Sequence, residues 1–116
     1  MSAIREDLGP YRQGDTWFGL IAGPLSFDDV AQSLTGGRVL MTVRKGPKRG
    51  DVRLQSWDSD EGEVTIAGDG STATIPEEVL EMTPGVWWYD IQVTLASGTV
   101  VTPWYGTFEV SDDIGV

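Results

Sequence analysis

The chain contains no cysteine and no histidine among its 116 residues. Without cysteine there is no disulfide framework and no thiolate metal site. A reducing compartment, or a particle assembled inside a cell, fits this better than a secreted miniature scaffold. Without histidine the commonest general base, the usual nucleophilic triad and imidazole metal ligation are all excluded. No apolar run is long enough to span a bilayer. The first residues, Met1-Ser2-Ala3-Ile4-Arg5-Glu6-Asp7, carry two acids and no following apolar stretch, so no signal peptide is expected. Basic residues are scarce: eight Lys and Arg stand against eighteen Asp and Glu, for a net charge of -10. Such a surface repels phosphate backbones and anionic lipid, which argues against nucleic acid and membrane as partners.

What is present suits one domain. Hydrophobic residues make up 40% of the chain, enough for a core that hides roughly two-thirds of the unfolded surface. Strands are expected at 15–22, rich in aromatic and apolar residues, at 38–44, 51–57 and 86–95, where apolar and polar residues alternate, at the short segments 63–67 and 71–75, and at 99–105 and 106–110. On 38–44, Val39, Met41 and Val43 share one face, with Leu40 out of step. On 86–95, Trp87, Tyr89, Ile91, Val93 and Leu95 form the core face, and Trp88, Asp90, Gln92 and Thr94 the other. Gly98 supplies a hairpin turn, and Pro103 marks an edge, a bulge or a bend. Helical turns are expected at 28–34, capped by Asp28 or Ser26, and at 76–82, opened by Pro76 and two acids. This spacing predicts an all-β antiparallel sandwich of about seven or eight short strands with one or two helical turns. The divisions expected are an N-terminal arm over 1–13, the sandwich over 14–111 and a C-terminal tail over 112–116, with the arms reaching for neighbours.

Catalytic chemistry has little to work with. The carboxylate pairs Asp58/Asp60, Glu61/Glu63, Glu77/Glu78 and Asp112/Asp113 fall in expected turns, where solvated acids are the rule. Asp58 to Glu63 lacks the spacing of a calcium loop, and Gly68-Asp69-Gly70 lacks the lysine and helix of a phosphate cradle. The chain is therefore expected to be no enzyme and to need no cofactor or metal.

Five tryptophans are many for this length. Trp17 and Trp87 are candidates for the core. Trp88, Trp104 and Tyr105 are candidates for an exposed face or edge, where aromatics anchor protein interfaces. The same side chains also suit stacking on sugar rings, so a carbohydrate-binding module is the alternative. Lys45, Lys48 and Arg49 form a cationic loop on an acidic chain. They read either as a solvated loop or as a dock for the acidic patch of a neighbouring copy.

A wider pattern is made by Gly14-Asp15-Thr16, Leu34-Thr35-Gly36, Ile75-Pro76, Thr83-Pro84-Gly85, Tyr89-Asp90-Ile91-Gln92, Gly98-Thr99-Val100 and Gly106-Thr107-Phe108-Glu109-Val110. From about residue 13 to 111 it resembles the immunoglobulin-like domains of tailed-bacteriophage structural proteins, above all the N-terminal domain of upper baseplate proteins. The resemblance implies an immunoglobulin-like fold and a non-enzymatic virion component of the baseplate, tail or capsid decoration. It further implies docking to other virion proteins in several copies, with assembly in the host cytoplasm.

Overall fold

The computed structural model describes residues 3–27, 29–46, 48 and 50–111. The chain is all-β. Its strands are β1 (Ile4–Arg5), β2 (Leu8–Arg12), β3 (Thr16–Trp17), β4 (Leu20–Ala22), β5 (Leu25–Phe27), β6 (Val30–Gln32) and β7 (Arg38–Arg44), then β8 (Arg53–Asp58). After one 3-10 turn (Ser59–Glu61) come β9 (Thr65–Ile66), β10 (Ala73–Ile75), β11 (Glu78–Val79), β12 (Gly85–Thr94) and β13 (Val100–Ser111).

The largest sheet has six strands in the order β1-β13-β12-β7-β8, with β2 also paired to β13. Small sheets, β4-β10-β9, β11-β3 and β5-β6, lie apart from it. They are joined to it by one core. Met41, Val43, Ile91 and Phe108 of the large sheet and Trp17, Leu25, Ala73 and Ile75 of the small ones belong to a single buried cluster. The arrangement accords with a sandwich of layers, each hiding one apolar face. At its centre four aromatic rings meet: Trp17 lies 5.2 Å from Trp57 and 5.4 Å from Phe108, and Tyr11 lies 5.2 Å from Phe108.

The long strands follow the alternation in the sequence. Val39, Met41 and Val43 are buried on β7, and Tyr89, Ile91 and Val93 on β12. Of the tryptophans read as core, Trp17 is buried, while Trp87 is partly buried against the cluster. Leu40 sits on the opposite, outer face, across from Gln92 and Asp58. Gly98 takes φ 92° in the hairpin between β12 and β13. Pro103 lies in a bulge: Ile91 pairs with Trp104 but Val93 with Val101, so β13 carries an extra residue there.

Three expectations are corrected. Residues 28–34 do not make a helical turn: Leu25 pairs with Gln32 and Ser26 with Ala31 in the β5-β6 hairpin. Ser26 is thus a strand residue, and Asp28 lies outside the described residues. A lone turn repays too little for its nucleation, and burying Leu25 and Leu34 decides the local shape. Residues 76–82 are extended as well. Leu80 and Met82 are buried while Glu81 between them is exposed, a period of two that only an extended chain supplies. Lastly, residues 4–12 of the expected arm are paired to their own chain. Ile4 and Arg5 lie parallel to Trp104 and Tyr105, and Leu8, Tyr11 and Arg12 to Phe108, Val110 and Ser111.

Candidate docking face

The outer face of the large sheet gathers part of what the sequence singled out. Trp88 pairs with Arg44 on one side and Thr107 on the other, and Asp90 pairs with Thr42 and Tyr105. Partners across a ladder point to the same face. Trp88, Asp90, Arg44 and Tyr105 are therefore neighbours outside the core. With Gly46 and Thr102 they line a groove of about 190 Å³. Within it Arg44 Nη1 donates to Asp90 Oδ2 at 2.8 Å, and both side chains are largely shielded from solvent. Thr42, next to Asp90 in the ladder, is buried on this face although it is polar.

The N-terminal segment reaches the groove's edge through Arg5. The Arg5 guanidinium lies 5.2 Å from the centroid of the Trp88 ring, within cation–π range. Its Nε donates to Asp7 Oδ1 at 3.1 Å, and that oxygen also accepts from the Thr107 backbone N–H at 3.0 Å. The Thr107 amide, then Arg5, hold the Asp7 carboxyl below its ordinary value. The segment is clamped from the core side by Tyr89, whose hydroxyl donates to the Glu6 carbonyl at 2.6 Å. Burial pushes the Tyr89 phenol well above its ordinary value, so it remains a donor.

The three candidate aromatics separate. Trp88 and Tyr105 share the outer face. Trp104, one residue from Tyr105, points the other way, as strand geometry requires. It lines a second cleft with Leu8, Leu20, Ile21 and Ile91, and is half-buried. Of the cationic loop, Lys45 and Lys48 are exposed, while Arg49 lies outside the described residues. The loop joins β7 to β8 and meets the groove at Gly46. Its frame is set by backbone bonds from Lys45 N to Val52 O (2.9 Å) and Asp51 N to Lys48 O (2.9 Å), and by Lys48 N to Asp51 Oδ2 (2.8 Å).

Two of the paired carboxylates, Asp58 and Glu78, serve the frame. Asp58 caps the 3-10 turn by accepting from Asp60 N at 3.0 Å, and it accepts Arg38 through Nε at 2.9 Å and through Nη2. Arg38 keeps the Asp58 carboxyl below its ordinary value despite burial. Glu78 accepts from the indole N–H of buried Trp57 at 3.1 Å. Asp112 and Asp113 lie outside the described residues. Among the described residues no three acidic side chains are grouped to hold a metal ion.

Arg5, Arg44 and Asp90 were not picked out from sequence. The outward face of Asp90 was legible, but its meeting with Arg44 depends on the register between β7 and β12, which alternation within a strand does not fix. Compared with known proteins, the chain matches no family model and no curated protein.

Proposed function

We propose that this chain is a non-enzymatic structural component of a tailed-phage particle, an immunoglobulin-like module that docks onto other virion proteins. It would act in several copies, in the baseplate, the tail or as capsid decoration, without nucleic-acid or membrane contact. The family assignment rests on the sequence resemblance. The observation that carries the docking role is Trp88 beside Tyr105 on the outer sheet face, around the shielded Arg44–Asp90 pair. Trp, Tyr and Arg are the residues that dominate protein interfaces.

The geometry favours protein over sugar as the occupant. A stacking platform needs several rings free on one side. Here Trp104 is on the opposite face, and Trp88 already carries the Arg5 guanidinium. Mass spectrometry of purified particles, followed by antibody labelling in the electron microscope, tests the reading. Label over the head assigns decoration, and label at the tail assigns the baseplate or tail. Absence of the protein from purified particles overturns the proposal.

A further inference from the structure

We infer that the groove and the loop at its rim receive an acidic polypeptide segment that inserts one large apolar side chain. The inference rests on the docking role above and names the partner's chemistry. Among the described residues, Arg44, Lys45, Lys48 and Arg53 stand on one hairpin, that of β7 and β8. The structure adds Arg5 at the same groove, over Trp88. Five of the eight cations of a strongly acidic protein, Arg5 with those four, therefore stand on or beside this face.

The acids at that site are internally engaged. Asp7 is bound by Arg5 and the Thr107 amide, Asp90 by Arg44, and Asp51 by the Lys48 amide. Among the described residues, Lys45, Lys48 and Arg53 make no ion pair and are exposed. Their charge is left to attract carboxylates from outside. Backbone bonds at Lys45 and Lys48 order the main chain that carries these two lysines, which lowers the ordering cost of binding.

The occupant's class follows from size and charge density. At about 190 Å³ the groove is smaller than the ~300–1,000 Å³ of small-molecule sites, and suits a single side chain. A nucleic-acid strand would carry a charge about every 3.4 Å along its length and continue past the patch over acidic surface. A polypeptide can set a few carboxylates against Lys45, Lys48 and Arg53 and an apolar residue between Trp88 and Tyr105. It need carry no charge elsewhere.

The test uses the whole chain and a short blocked peptide of alternating glutamate and phenylalanine, read by calorimetry and tryptophan fluorescence. Comparison probes replace every glutamate with glutamine or lysine, and a single-stranded DNA oligonucleotide is the fourth. The glutamate peptide is expected to bind, to weaken as salt is raised, and to outbind all three others. Double reversal, Lys45→Glu with Lys48→Glu, should weaken it about tenfold or more, roughly 1.4 kcal/mol. Glu63→Lys, a charge change in an exposed turn elsewhere, should not weaken it. Trp88→Phe should remove the fluorescence response. No binding of the glutamate peptide overturns the inference, as does equal binding by the double-reversed variant when circular dichroism shows it folded. Tighter binding of the oligonucleotide overturns it in favour of a nucleic-acid site. Failure here leaves the presence of the protein in particles untouched, and absence from particles leaves the peptide measurement untouched.

Discussion

Asp58 concentrates several tasks in one side chain: it caps the 3-10 turn, holds Arg38 and lies buried at the end of β8. Its folded-state pKa is below its unfolded value near 3.8. The linked stability is therefore fully present above that value and is lost as pH falls through the lower folded one. Urea unfolding as a function of pH should show stability falling in acid below about pH 4. Asp58→Asn should flatten that slope and cost about 1–2 kcal/mol at neutral pH. Tyr89→Phe tests a different bond. Loss of the phenol that clamps Glu6 should cost about 1 kcal/mol. Amide exchange should then quicken at Glu6, whose N–H donates to the Tyr105 carbonyl, more than in β7. At this scale the sequence was informative where a residue's role is a face or a turn, as for Met41 or Gly98. It was silent where the role is a partner far along the chain. Asp58 and Arg38 are twenty residues apart, and nothing in either neighbourhood announces the other.

Among the elements, strand alternation made β7 and β12 legible almost to the residue, because each buries one face of a long ladder. The short elements were harder. In 76–82, Pro76 and two acids imitate a helix start, yet the alternation of Leu80, Glu81 and Met82 was the truer signal. The N-terminal strands were missed because two to five residues with little alternation carry no periodic signature. Their cause lies in β13. Gly106 has no side chain where the Glu6 carbonyl passes: a Cβ added there would lie 2.2 Å from that oxygen. Gly106→Ala should therefore push β1 off the sheet edge while the β12–β13 ladder persists. Amide exchange checks this, with protection lost over residues 4–7 and kept in β12.

For the molecule as a whole, the β3–β11 sheet holds to the large one through Trp17, which stands on β3 and contacts rings from β2, β8 and β13. Trp17→Ala should cost about 3–5 kcal/mol, a large part of the ~5–15 kcal/mol that stabilises a typical domain. Urea denaturation of the variant measures it. The candidate site was half legible at this scale. Aromatic density and the cationic loop could be read from the sequence. Which rings share a side, and that Arg5 and Arg44 join them, follows only from how strands are ordered in the sheet.

That order also bears on synthesis. β13 is the last described strand to leave the ribosome, yet it lies inside the sheet, between β12 and the N-terminal pair β1 and β2. β1 and β2 have no partner in this sheet until β13 is free of the exit tunnel. Leu8 and Tyr11 therefore lack their β13 partners until residues 100–111 emerge, and only then does the sheet close. Ribosome-stalled chains ending before β13 should be digested by protease in their N-terminal segment, and chains extended well beyond it should resist.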